Sequence, residues 1–596
     1  MSSSKYVVGI DLGTTNSVVA FVEADASDPE MQILRIPQVV AEGMVEKLDS
    51  LPSFAYIPRD HEEASRTALP WESDADCVVG QFARAQSAEA PERTIGAAKS
   101  WLAHTGVDRR ENILPWNAPD DVKKVSPVSA CQGYLQHIRN AWDAEFPEDR
   151  LANQDVVVTV PASFDASARD LIREAAVAAG LPTNFMFLEE PQSAVYAWLG
   201  TVGDEWRKHL SVGDSLLVCD VGGGTTDLTL VKVCDVDGNL ELRRAAVGNH
   251  LLVGGDNMDL ALAHHVAEQF KSQKVNLDPW QSVSLWHSCR AAKEVLLARD
   301  GAKSHKISVL GRSSKLIGGT KSIEVDRQAV GKLLADGFFP PCDLSDKPQR
   351  QRMSGFQQIG LPYETDTAVT KHVASFLSDH CVDDDGNVAQ PTHVLFNGGV
   401  FRSATLRGRM VNVLDGWFSD PIEQLAADDQ SLDQSVARGA AFYAWSKRNG
   451  GVRIRGGTAR SYYVGIETAG LAIPGAPRPL RALCVVPFGM EEGTEIDVPS
   501  AEIGLVLGEP VHFRFFSSSN RHADQPGDTL DSWTEEDLHE TDSMEAELPA
   551  SQTVDQGYVP VRFESRVTEL GVFELWCVST KSDERWKLEF SVRDTE

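Results

Sequence analysis

The sequence predicts an α/β chain: two lobes of like architecture, followed by a smaller all-β region. Three observations carry this. Ser215–Val233, SLLVCDVGGGTTDLTLVKV, reads as strand, tight turn, strand. Tyr6–Val22 repeats the order of apolar strand, Asp, Gly, Thr-Thr and apolar strand, and one such element at long separation from its copy predicts a duplicated architecture. The last third of the chain alternates apolar and polar residues at a period of two, as half-solvated sheets do.

Each hairpin is built for a polyphosphate. Gly222, Gly223 and Gly224 have no Cβ, so a phosphate can approach backbone N–H groups. Thr225 adds a hydroxyl, and Asp220 stands where a cation or its water would be held. Asp11, Gly13, Thr14, Thr15 and Asn16 repeat the pattern. Either hairpin alone is an ordinary glycine-rich turn; the repetition is what points to a shared cleft.

Composition sets limits. At 596 residues the chain is too long for one core. It is 42% hydrophobic without a long apolar run, so no segment is expected to span a membrane. Its net charge of −31 disfavours nucleic acid and anionic membranes as partners. Nine cysteines lack metal-ligand spacing, and Met1–Lys5 enters a strand without a leader; free thiols and a cytoplasmic location are expected.

The segments GIDLGTTNSVVAF, VVVTVPASFDASARDLIREAAVAAGL, FLEEPQSAVYAW, CDVGGGTTDLTL, VGGDNMD and FNGGVFRSATLRGRM occur in the order seen in Hsp70-type (DnaK-like) chaperones. The resemblance runs from Tyr6 to Lys447 and continues weakly beyond. It implies a two-lobed, actin-like (Hsp70/hexokinase-type) duplicated ATPase domain over 1–449, a linker at 450–458, and a β-sandwich substrate-binding-like domain over 459–596 without a helical lid. It implies ATP/ADP and Mg²⁺ as cofactors, with K⁺ a further candidate. It also implies unfolded or extended polypeptides as clients, and J-domain and nucleotide-exchange proteins as candidate partners.

Residue by residue, the resemblance assigns Asp11, Glu190 and Asp220 to Mg²⁺, mostly through water. Gly13–Asn16 and Gly222–Thr225 cradle phosphates, and Lys99 and Thr225 position the attacking water. Lys99 is expected on a helix starting near Pro91 or Thr94. Pro161 and Arg169 match an interdomain switch pair. Gly254 and Gly255 match a phosphate-end turn, Lys293 the adenosine helix, and Gly398, Gly399, Arg402 and Asp433 the base-side loops; Gly439 closes that last motif. On a bland reading Lys99 and Arg169 are solvated helix residues, Glu189 and Glu190 are solvated acids, and the 288–297 helix is simply amphipathic.

Several positions depart from the family pattern. Arg290, Glu294 and Leu297 stand where Glu, Arg and Ser are usual, so an exchanged ion pair is expected around the base. Met186 replaces an arginine tied to J-domain contact. Arg327–His380 reads as an insertion or altered helical subdomain. Lys447–Gly457 is basic and glycine-rich with no core residues, unlike the acidic, leucine-rich linker of Hsp70s. Asp524–Glu547, with ten acidic residues and no Lys or Arg, reads as a solvated loop. Three function classes follow: an ATP-hydrolysing chaperone, a nucleotide-binding regulator or scaffold on the same fold, and a small-molecule kinase. No GxxxxGK[ST] loop is present, which excludes a Walker-type ATPase.

Overall fold

The computed structural model describes residues 4–59, 62–73, 76–104, 106–116, 118–236, 239–309, 321–349, 361, 363–382, 388–425, 432–450, 454–455, 457–458, 460–467, 480–491, 493–506, 510–534, 537–541, 543–547, 558–568 and 573–590. The fold is mixed α/β, and two six-stranded sheets organise its first three quarters.

Both sheets are built the same way. In the first, Tyr6–Asp11 pairs antiparallel with Asn16–Glu23 and parallel with Asp155–Val160, which pairs parallel with Met186–Glu189. In the second, Ser215–Val221 pairs antiparallel with Thr226–Val236 and parallel with His393–Asn397, which pairs parallel with Glu423–Gln424. The central strands are apolar on both faces because helices cover both faces. Val7, Val157, Leu216, Val218 and Tyr443 belong to one cluster spanning the two sheets, which holds them together.

Helix Leu432–Asn449 lies on Tyr6–Asp11 and crosses helix Glu190–Val202. Two glycines allow that approach. A Cβ on Gly9 would sit 2.4 Å from Ala437 O, and one on Gly439 would sit 1.7 Å from Ser193 O.

Among the described residues the C-terminal region forms β-strands and no helix. Thr529–Leu530, Leu480–Val486, Ser461–Glu467, Phe515–Ser518 and His539–Glu540 form one sheet. Tyr558–Val567, Phe573–Ser579 and Arg585–Phe590 lie in a seven-stranded one. Val464, Val485 and Phe515 from the first sheet share a core with Val561, Phe563 and Leu575 from the second.

Three expectations change. Lys99 sits on a short helix, Ala98–Trp101, and not on one starting at Pro91 or Thr94; those residues form a 3₁₀ turn and a two-residue strand, and a separate helix, Gln81–Glu89, precedes them. The 447–457 stretch does have a core residue: Ile454 is buried, and Ile454–Arg455 adds a parallel strand beside Leu242–Arg243. The acidic stretch 524–547 is not simply a loop. It contributes strands at Thr529–Leu530, His539–Glu540 and Met544–Glu547, and Asp524, Asp531 and Glu540 pair with Arg521, Arg481 and Arg514. Within 327–380, helices Arg327–Phe338 and Val369–His380 flank a stretch anchored by Trp417 Nε1 donating to Cys342 O at 2.7 Å; the polar run 343–351 falls partly outside the described residues.

His137, on helix Pro127–Glu145, is buried with Nε2 2.9 Å from Pro37 O. Burial lowers its pKa to about 4. The unfolded chain therefore takes up a proton below about pH 6.5 that the folded chain refuses until about pH 4, and about 3 kcal/mol of stability is lost across that window. Denaturant titrations between pH 7 and 4 are expected to show His137→Gln with a shallower acid limb than wild type; equal slopes would contradict this.

Candidate active site

Two turns meet tip to tip. In the first, Ser53 holds the backbone: its Oγ donates to Gly13 O at 2.7 Å and its N–H to Thr15 O at 2.9 Å. In the second, Gly222 N–H donates to Thr225 O at 2.9 Å and closes the turn. A Cβ on Gly223 would lie 1.9 Å from Thr15 Oγ1, and one on Gly224 would lie 2.8 Å from Thr14 Cγ2, so glycine is what lets the tips touch. Helix Gly255–Ser272 starts on the second turn, with Gly255 N–H donating to Gly222 O and Asp256 N–H to Gly223 O. Its positive end thus faces the same space.

That space is a cavity of about 380 Å³. At the hairpin end it is lined by Asp11, Gly13, Thr14, Thr15 and Asn16 from one turn and by Asp220, Gly222, Gly223 and Thr225 from the other. Lys99 and Glu190 close this end. Gly255, Lys293, Gly398, Gly399, Arg402 and Asp433 line the rest. Gly224 and Gly254 lie behind the wall; a Cβ on Gly254 would meet Gly222 O at 2.8 Å. Pro161 and Arg169 lie outside, where Arg169 Nη2 donates to Glu189 Oε1 at 2.9 Å.

The electrostatics are lopsided. Lys99 is buried and pairs with Glu190. Asp11 accepts from Thr159 Oγ1 at 3.1 Å, and Asp220 accepts from Asn397 Nδ2 at 2.7 Å. Burial, then the Glu190 charge, raises Asp11 to about 7. Burial followed by Glu190 pushes Asp220 well above the carboxylate range, and burial also raises Glu190 and Asp227. Burial works against the Lys99 ammonium, but Glu190 and Asp11 outweigh it and hold its pKa high. Four acids surround one cation, so the site is short of positive charge. Among the described residues no three His, Cys, Asp or Glu side chains gather closely enough to chelate a metal directly. The donor set therefore suits a hydrated divalent cation met through its water shell.

Away from the hairpins the lining gains an apolar end, Leu297, Val400 and Leu406, set among the charged Lys293, Glu294, Arg402 and Asp433. The ion pair expected between Arg290 and Glu294 is absent. Arg290 instead binds Asp256 at 2.7 Å and Asp259 at 2.9 Å, and Glu294 pairs with Arg84 of helix Gln81–Glu89. Arg290 is thus drawn toward the wall, since two buried aspartates outbid one half-exposed glutamate. Lys293 Nζ reaches Asp259 and Gly255 O, both at 2.7 Å. Arg402 pairs with Asp433. Glu189 is not solvated: it is buried between Arg169 and Arg244, and Arg244 also donates to Gly457 O.

Sequence reading passed over Thr159 and Asn397, which hold the two aspartates. Both are polar residues at or one short of the end of an apolar strand, Asp155–Val160 and His393–Asn397, the same signal that marks Asp11 and Asp220.

An Hsp70 protein family model matches residues 66–336. The chain is similar to the chaperone protein DnaK of Thermotoga maritima, 29% identical over 270 residues, which is 45% of this chain and 37% of that protein. It is also similar to the DnaK of Psychrobacter cryohalolentis, 26% identical over 321 residues, 51% of this chain and 43% of that one. The matched region thus spans about two fifths of the length of these curated relatives. Over this region, which contains Lys99, Glu190 and the second hairpin, the chain is similar to Hsp70 proteins.

Proposed function

We propose that this chain is an Hsp70-type chaperone that binds ATP with Mg²⁺ in the cavity and hydrolyses it to ADP and phosphate. In this reading residues 1–449 are a two-lobed, actin-like ATPase domain, 450–458 the linker, and 459–596 a β-sandwich that takes unfolded or extended polypeptide. The observation that carries it is the convergence of both Gly-Thr hairpins, Lys99 and three carboxylates on one cavity.

The roles follow from placement. The turn N–H groups and the hydroxyls of Thr14, Thr15 and Thr225 suit the phosphates. Asp11, Glu190 and Asp220 would hold Mg²⁺ through water, and the ion would offset phosphate charge. Lys99, buried among these acids, is placed to stabilise charge on the transferred phosphoryl group. Lys293, Arg402 and the apolar end suit the nucleoside. Arg169, Glu189 and Arg244 reach Gly457 O, which supports an interdomain switch through Pro161 and Arg169.

Steady-state ATP hydrolysis tests the reading. Turnover is expected to be slow, to stop with EDTA, and to rise with an unfolded peptide. Binding without turnover would favour a regulatory scaffold, and ADP release that depends on a sugar would favour a kinase.

A further inference from the structure

One backbone turn sets both Lys99 and its neighbour Ser100. Strand Thr94–Ile95 runs into Gly96 and Ala97, and Ala97 holds the left-handed conformation, φ 55° and ψ 27°, before helix Ala98–Trp101. A side chain makes that conformation costly, so the surrounding structure must hold it there. The helix that follows has all four residues buried, two of them polar. Lys99 has its partner in Glu190. Ser100 is 2% exposed, and its Oγ has no hydrogen-bond partner among the described residues. A serine in a helix often bonds back to a carbonyl one turn earlier; Ser100 does not.

The hydroxyl is buried against the tip of the second turn. Its Oγ lies 3.0 Å from the point where a Cβ on Gly224 would stand, and Thr14 Cγ2 lies 2.8 Å from the same point. Gly224 belongs to the second turn and Thr14 to the first, so both turns meet here with the helix that carries Lys99. Of the three atoms closest to that point, two are Thr14 carbons, and Ser100 Oγ is the one that can hydrogen-bond. Ser100 does not line the cavity, so it acts on a bound molecule only through the turn. A buried hydroxyl without a partner is unfavourable, and alanine would fill the same place with no polar atom. A partner gained in a second arrangement of the two turns gives the serine a reason to be there.

We propose that Ser100 is a positioning residue for hydrolysis: as a nucleoside triphosphate draws the two turns together, Ser100 Oγ forms a hydrogen bond with the Gly224 peptide and fixes that tip against the Lys99 helix. This rests on the nucleotide-binding reading of the cavity. Lys99 and Glu190 close the hairpin end, so the terminal phosphate is the part of the ligand that reaches Lys99. Ser100 follows Lys99 directly, so a turn held to Ser100 is held in register with the Lys99 ammonium. A diphosphate leaves that end unfilled and the turns as they stand. The new bond therefore belongs to the triphosphate state and its transition state, and the orphaned hydroxyl to the nucleotide-free and diphosphate states. An interaction distributed in that way acts on the rate of hydrolysis and spares the diphosphate.

Ser100→Ala in the full chain tests this, because activity and stability are expected to part company. Single-turnover ATP hydrolysis is expected to slow by about tenfold, in line with one hydrogen bond made only in the triphosphate state. Mant-ADP affinity is expected to stay within about twofold of wild type, and the urea midpoint of the nucleotide-free chain to hold or rise, since the variant removes a buried hydroxyl that has no partner. A residue that merely packs would give the opposite: a lower midpoint, with mant-ADP affinity falling in step with the rate. Either of those results overturns the positioning role, and so does a hydrolysis rate within about twofold of wild type. Should Ser100→Ala not fold, Ser100→Cys takes its place, with a weak S–H donor and the same expected loss of rate. A wild-type chain that binds mant-ATP without turnover also overturns the positioning role but leaves the cavity as a nucleotide site. A wild-type chain that binds neither mant-ATP nor mant-ADP overturns the cavity reading itself.

Discussion

Lys99→Met is expected to slow single-turnover ATP hydrolysis by about 10²–10³-fold. Among the groups around the hairpin tips, Lys99 is the cation set against Asp11, Glu190, Asp220 and Asp227. Removing a preorganised charge at the phosphoryl group withdraws stabilisation needed most in the transition state, so the rate constant falls more than affinity does. The same change leaves Glu190 buried without its partner. Breaking a buried pair by removing one member costs about 3–5 kcal/mol. A companion variant separates the two effects: Lys99→Met with Glu190→Gln removes the orphaned charge. Denaturation midpoints are expected to recover in that double variant, which checks the stability cost alone because Glu190 is itself assigned to the cation. A single-turnover rate within tenfold of wild type for Lys99→Met would sink the assigned role.

Gly439→Val is expected to cost about 3 kcal/mol or more of stability. A Cβ at this position would lie 1.7 Å from Ser193 O, 2.7 Å from its carbonyl carbon and 2.9 Å from Ala197 N. All three are backbone atoms of helix Glu190–Val202, which cannot rotate aside as a side chain would. The two helices must separate, and each supplies a cavity wall: Glu190 opens one and Asp433 lies in the first turn of the other. Nucleotide affinity should fall with stability. Gly408→Ala is the control. It lies in helix Ala404–Trp417 with nothing within 4 Å of its Cβ position, so alanine there should stabilise by about 0.5–1 kcal/mol through backbone entropy. Urea titrations of both variants check the pair; a Gly439→Val midpoint at the wild-type value would contradict the helix-crossing argument.

The hairpins and their aspartates were legible because each local requirement leaves a letter. A strand needs an apolar run, and a turn whose tip packs against another turn needs glycine. Duplication then supplied the shared cavity. Less was legible where a residue's role depends on a partner far along the chain. Glu189 and Glu190 are adjacent in sequence, yet one faces Arg169 and Arg244 while the other faces Lys99. Arg290 and Glu294 look like an exchanged pair along one helix, but tertiary partners claim each of them. The acidic stretch 524–547 looked solvated because its arginine partners lie outside it, at Arg481, Arg514 and Arg521. Ile454 has only Val452 as an apolar companion among arginines and glycines, too little pattern to announce a strand.

The Ile454–Arg455 strand has a consequence for how a released β region behaves. Only residues 456–460 separate that strand from Ser461, a leash of five residues. Fully extended it reaches about 18 Å. A module on so short a leash samples a small volume, so its effective local concentration is in the millimolar range. Redocking is therefore expected to be fast and independent of protein concentration.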